Sequence, residues 1–184
     1  MNERTIIGID PGTNLLGFGV IRIEKKGVRF LDMGVLDLRK EKDSYDKLER
    51  IHREISLLCD KYGANDMAIE SPFLGKNAQV IFKLGRAQGA AIIAAREHCM
   101  EVHEYAPMKA KVAITGSGDA SKEQVCVMIQ KILNINITPE HLDATDALAI
   151  AMCHYYQLTN PLAGGKAATS WAKFIQENPD RIKK

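Results

Sequence analysis

The stretch Arg4-Thr5-Ile6-Ile7-Gly8-Ile9-Asp10-Pro11-Gly12 constrains this chain more than any other. A continuous apolar run closed by Pro-Gly reads as a strand buried on both faces, in the middle of a sheet. An ionisable side chain there is expensive, so Asp10 needs a reason to sit at its end. It has two readings: a turn aspartate accepting backbone N–H bonds, which is the commoner use, or a metal ligand at the lip of a rigid sheet. Asp66-Met67-Ala68-Ile69-Glu70 repeats the pattern, a short buried run ending in an acid and stopped by Ser71-Pro72. Two buried strands each closed by a carboxylate and a turn favour the second reading.

The rest of the chain supplies an α/β frame. Leu15–Ile23 and Val28–Leu38 are extended runs joined at Lys25-Lys26-Gly27, the pattern of an antiparallel hairpin, so the chain opens as a three-strand meander. Gly17 and Gly19 alternate on one face of the second strand and leave space there, for a packed helix or for a ligand. Ser44 begins an amphipathic stretch with Leu48, Ile51, Ile55 and Leu58 on one side. A long helix spans about Asn77 to His98. Gly85 and Gly89 sit four apart on one of its faces, each costing about 1 kcal/mol of helix propensity, which predicts close approach by the sheet or by a second subunit. Glu101–Ala106 is a fifth strand ended by Pro107. Ser121 and Gln124 form a capping box for a helix to about Leu133, and Thr138-Pro139 is a start signal for the next.

Length and composition bound the possibilities. A chain of 184 residues fits one compact domain with little left for a second. We place that domain at residues 1–158 and a tail at 159–184, where Ser170–Gln176, with Trp171, has the composition of one or two helical turns. Cys59, Cys99, Cys126 and Cys153 form no Cys-x-x-Cys pair, which argues against a zinc ribbon and against a disulfide framework. No apolar segment reaches the length of a signal peptide or a membrane span, so the expected location is cytoplasmic. A formal charge of +2 is mild, and a nucleic-acid partner must be argued from local patches.

Asp143 and Asp146, at i and i+3, share one helix face with apolar Ala147 and Ile150, so these acids point inward. Stabilisation of the helix dipole accounts comfortably for one of them and less well for two. Asp10, Glu70, Asp143 and Asp146 together would repel one another unless cations sat between them. Oxygen-only donors suit Mg²⁺ or Mn²⁺ rather than zinc. Two such ions about 4 Å apart activate a water and stabilise the leaving oxygen of a phosphodiester.

The motifs Gly8-Ile9-Asp10-Pro11-Gly12, Ala68-Ile69-Glu70, Phe73, Lys76-Asn77-Ala78, Lys83–Gly89 and Asp143–Ala151 stand in the order of the RuvC family, the bacterial crossover-junction endonucleases or Holliday-junction resolvases, and the resemblance covers about Thr5 to Tyr155. It implies an α/β, RNase H-like three-layer fold with a five-stranded mixed sheet flanked by helices. It implies a homodimer that nicks opposed strands of a four-way DNA junction symmetrically during recombination and repair, leaving 5′-phosphate and 3′-hydroxyl ends. By the same resemblance Asp10, Glu70, Asp143 and Asp146 are the catalytic, metal-holding tetrad for Mg²⁺ (Mn²⁺ as substitute), with two ions per site. Phe73 takes the place of an aromatic that engages junction bases, where stacking on an unpaired base contributes roughly 1–3 kcal/mol. Lys111 and Lys122 match basic residues near the scissile phosphate, and Lys76, Lys83 and Arg86 extend a surface for the DNA backbone. Docking of a branch-migration motor is a further expectation of the family.

Two rivals differ in kind. Actin-type and sugar-kinase ATPases also carry Asp-x-Gly-Thr after a first strand, here Asp10-Pro11-Gly12-Thr13, but they need a second such domain and a second phosphate loop. A non-catalytic junction binder has no use for four clustered acids.

Overall fold

The computed structural model describes residues 3–72, 77–136 and 142–160. Among these residues ten elements follow in chain order: β1 (Arg4–Asp10), β2 (Leu15–Glu24), β3 (Gly27–Asp37), α1 (Ser44–Tyr62), β4 (Asp66–Glu70), α2 (Ala78–Glu97), β5 (Glu101–Tyr105), α3 (Pro107–Thr115), α4 (Lys122–Leu133) and α5 (Leu142–Thr159). The five strands form one mixed sheet in the order β3-β2-β1-β4-β5. The first three make the expected antiparallel meander, while β1, β4 and β5 run parallel. The buried apolar runs thus occupy the centre, as strands covered on both faces must.

Helices cover the two faces unequally. Ile7 and Ile9 of β1 and Met67 and Ile69 of β4 pack with Ile51 and Ile55 of α1 and with Ala87, Ala91, Ala94 and Ala95 of α2. On the other face Ile6, Ile21 and Ala68 meet α5, backed by Ala110 and Ile114 of α3 and by Val125 and Ile129 of α4. The helix ends follow local chemistry. Asp43 caps α1 by accepting from the Tyr45 N–H at 2.6 Å, and Gly63 closes it in the left-handed region at φ 55°. Ser121 and Gln124 form the expected capping box of α4. One element departs from expectation: Pro107 ends β5 and also opens α3, because its fixed φ and missing N–H suit the first helical position.

The glycine stripe on the α5 face decides where that helix lies. A Cβ on Gly8 would stand 2.0 Å from the Ala147 carbonyl oxygen, one on Gly17 2.1 Å from that of Asp143, and one on Gly19 2.7 Å from the Leu148 side chain. Gly8 pairs with Gly19 and Asp10 with Gly17 across β1 and β2. The space beside Gly17 and Gly19 therefore holds a helix backbone. No such neighbour exists at Gly85 or Gly89, where a Cβ would meet nothing within 4 Å among the described residues. The sheet of the same chain is therefore not what those two glycines accommodate. Thr138-Pro139 and the chain beyond Asn160 lie outside the described residues.

Candidate active site

Asp10 and Glu70 close adjacent parallel strands whose register pairs Ile9 with Ile69, so the two acids stand side by side at one edge of the sheet. Both belong to the face that α5 covers, because alternate residues Ile7, Ile9, Met67 and Ile69 point to α1 and α2. Helix α5 then lies backbone-to-backbone on Gly17 and Gly8, which brings its first turns over Asp10. One carboxylate oxygen from each of Asp10, Asp143 and Asp146 falls within 4.8 Å of the others. Glu70 lies outside that tight group, yet it lines the same cleft of about 240 Å³ with Asp10, Asp146, Lys111 and Lys122.

The electrostatics are those of crowded acids in a dry place. Burial first, then Glu70, Asp146 and Asp143, push the Asp10 carboxyl up to about 8 despite nearby Lys122. Burial and Asp146 push Glu70 up to about 7, with Lys122 and Lys111 opposing. Asp146 is raised as well, chiefly by burial. Lys122, the first residue of α4, answers this charge: its Nζ donates to Asp143 Oδ1 at 2.9 Å and to Asp146 Oδ2 at 2.7 Å. The two carboxylates hold the ammonium charged against the opposing effect of its burial. Its ammonium stands where a cation is electrostatically required. Oxygen donors on a rigid strand end and a helix face, already gathered around a positive charge, fit a hard divalent cation held by Asp10, Asp143 and Asp146 with Glu70 beside them.

The other expected residues divide. Lys111 on α3 lies in the same cleft. Lys83 and Arg86 on α2 instead line a neighbouring cleft of about 410 Å³, walled by Gly12, Thr13 and Asn14 of the turn that follows Asp10. Lys42 and Lys47 complete its basic rim, and neither was singled out from sequence. Lys47 donates to the Thr13 carbonyl at 3.0 Å and to Asn14 Oδ1 at 3.1 Å, pinning the turn. Arg86 sits over the Phe82 ring, 4.3 Å from its centroid. Phe73 and Lys76 lie outside the described residues.

Comparison with known proteins agrees with this architecture. Residues 6–154 match the family model of the crossover junction endodeoxyribonuclease RuvC. A RuvC from Christiangramia forsetii is 48% identical over 182 residues, which cover 99% of this chain and 94% of that protein. Among solved structures, Thermus thermophilus RuvC superposes with a TM-score of 0.74 at 33% identity, covering 84% of this chain and 95% of that one. The same protein in complex with Holliday junction substrate gives a TM-score of 0.74 at 30% identity, covering 84% of this chain and 94% of that one. The chain belongs to the RuvC family of crossover junction endodeoxyribonucleases, with the family's RNase H-like fold.

Proposed function

We propose that this protein resolves four-way DNA junctions by paired, symmetric hydrolysis of phosphodiester bonds in opposed strands, with Mg²⁺ held by Asp10, Glu70, Asp143 and Asp146. The observation that carries the reading is the convergence of Asp10, Asp143 and Asp146 on one point at the sheet edge. Family membership and the Thermus complex with Holliday junction substrate support the choice of DNA. Bound there, two Mg²⁺ ions supply Lewis acidity and a water nucleophile at neutral pH.

The residues of the chain set the rest. Asp10 and Glu70 anchor the site on rigid strands, and Asp143 and Asp146 close it from α5. With divalent cations held by Asp143 and Asp146, Lys122 would be free to turn to the scissile phosphate, where its charge would offset that building on the phosphoryl oxygens. Lys111 adds a second positive charge in the cleft. Water attacks phosphorus and gives up a proton to solvent, the bond to the 3′ oxygen breaks, and that oxygen takes up a proton from solvent, leaving 5′-phosphate and 3′-hydroxyl ends. Lys83, Arg86, Lys42 and Lys47 give the adjacent cleft a basic rim suited to a DNA backbone. Lys76 and Phe73, which fall between Glu70 and α2 in the sequence, are proposed to contact the backbone and an unstacked base.

A twofold dimer presents two sites to the two equivalent strands. The exposed apolar side chains Phe82 and Ile93, on the same face of α2 as Gly85 and Gly89 with their open space, support that face as its interface. The test is a nicking assay on end-labelled synthetic four-way junctions and on linear duplex of the same sequence, with and without Mg²⁺, alongside ATP hydrolysis. Paired Mg²⁺-dependent nicks confined to the junction are expected. Equal cutting of linear duplex, or ATP turnover in place of nicking, overturns the proposal.

A further inference from the structure

A second polar cluster occupies the opposite end of the interface between α5 and the sheet, and the nuclease chemistry does not use it. Asp66 opens β4 fully buried, and His154 on α5 is 1% exposed. His103 of β5 stacks on His154 with ring centroids 4.2 Å apart and 27° between planes. The Nε2 atom of each ring lies 3.9 Å from Asp66 Oδ1, too far for a hydrogen bond. Both Nε2 atoms are buried, and neither has a hydrogen-bond partner among the described residues. Two orphaned imidazole nitrogens facing one buried carboxylate form an arrangement that a folded interior does not ordinarily tolerate.

The surroundings orient these atoms as ligands. Tyr105 Oη is 2.7 Å from His154 Nδ1. With Nδ1–H donating to that hydroxyl, Nε2 keeps its lone pair and aims it at the cluster, the arrangement common behind metal-bound histidines. Arg4 fixes the carboxylate, its Nε donating to Asp66 Oδ2 at 2.8 Å and its Nη2 at 2.6 Å to Oδ1, the oxygen nearest the imidazoles. The ligand atoms of Asp66, His103 and His154 all lie within 4.8 Å of one another. Tetrahedral geometry at zinc bond lengths places ligand atoms roughly 3.3–3.5 Å apart, a few tenths of an ångström closer than the 3.9 Å contacts.

We propose that Asp66, His103 and His154 form a structural site for a divalent transition ion of the zinc class. Glu101 completes the shell from the solvent rim, where its Oε2 lies 3.6 Å from His103 Nε2. Because Arg4 already offsets the charge of Asp66, the attraction rests on the two imidazoles and Glu101. That donor set selects zinc, cobalt or nickel over Mg²⁺. The ion would tie β4, β5 and α5 together at the end remote from Glu70, Asp143 and Asp146, acting on the frame and not on reacting atoms.

The test uses the full chain carrying Asp10→Asn and Asp146→Asn, so that the acidic cleft does not itself take up zinc. Metal-stripped protein is titrated with Zn²⁺, Co²⁺ and Mg²⁺ and followed by elemental analysis, thermal midpoint and cobalt d–d absorption. One Zn²⁺ per chain is expected, with a midpoint rise of roughly 5–10 °C at free ion a hundredfold above its dissociation constant. Mg²⁺ produces no rise in this background. His103→Gln, at a position only partly buried, abolishes the bound equivalent, the rise and the cobalt bands, and His154→Gln does the same if it folds. Failure to bind Zn²⁺ overturns the proposal, as does a stoichiometry that survives His103→Gln.

Discussion

Replacing Gly17 with alanine should separate Asp10 from Asp143 without touching either. The new Cβ would lie 2.1 Å from the Asp143 carbonyl oxygen and 2.5 Å from its carbonyl carbon. Both are backbone atoms of α5, so no side-chain rotation relieves the clash. Restoring ordinary contact requires α5 and β2 to part by roughly 1.3 Å or more, and Gly17 pairs directly with Asp10. Overpacking of this kind costs about 1–3 kcal/mol, or a fall of roughly 3–10 °C in thermal midpoint for a chain of this size. A misplacement of about 1 Å reduces turnover on the order of a hundredfold. Junction binding, which draws on basic residues of other elements, should stay within a few-fold. Single-turnover cleavage, a gel-shift titration and a melting curve measure the three quantities. A Gly17→Ala protein that cuts within threefold of the parent at an unchanged midpoint would refute the claim that this glycine sets the distance between Asp10 and Asp143.

The remaining predictions concern charge. Asp10 and Glu70 are pushed up to about 8 and about 7 from ordinary values of 3.8 and 4.5, so each binds its proton more tightly folded than unfolded. Metal-free protein should therefore lose stability as pH rises from about 4 to about 8, and Mg²⁺ should restore it at the upper end; midpoints with and without Mg²⁺ check this, and a flat metal-free profile counts against it. Asp10→Asn should remove much of that slope. Lys122→Met should bind Mg²⁺ more tightly by calorimetry, because the ammonium no longer competes for Asp143 and Asp146, yet cut on the order of a hundredfold more slowly. Arg4→Met strips the fully buried Asp66 of its bidentate partner and should destabilise the chain by roughly 3–5 kcal/mol in denaturant melts.

How far the sequence reached depended on whether the information was local. The central strands β1 and β4 announced themselves because a strand buried on both faces has no polar alternation to hide it, and their terminal acids stood out against that background. Asp143 and Asp146 were legible as an inward face from their spacing alone. The sequence could show a gap beside Gly17 and Gly19 but not its occupant, since α5 arrives from more than a hundred residues away. The ion pairs of Lys122 with Asp143 and Asp146 were hidden for the same reason, and a lysine at the start of a helix reads as solvated surface. Helix α3 was missed because Pro107 serves as both strand stop and helix start. The Asp66–His103–His154 cluster left no signal: each residue sits singly in an otherwise apolar or mixed element, and only the parallel register of β4 and β5 beneath α5 assembles them.

The central claim is that four acids from two strands and one helix form a single metal-dependent site for cutting DNA junctions. The most direct measurement is single-turnover cleavage of a synthetic four-way junction by Asp10→Asn and Glu70→Gln, with junction affinity measured on the same preparations. Each substitution keeps the shape of the side chain and removes the negative charge that it would carry with a cation bound. Cleavage should fall by three orders of magnitude or more on the scale of lost electrostatic stabilisation, while affinity for the junction is retained. Either variant nicking the junction at the parent rate would contradict the account.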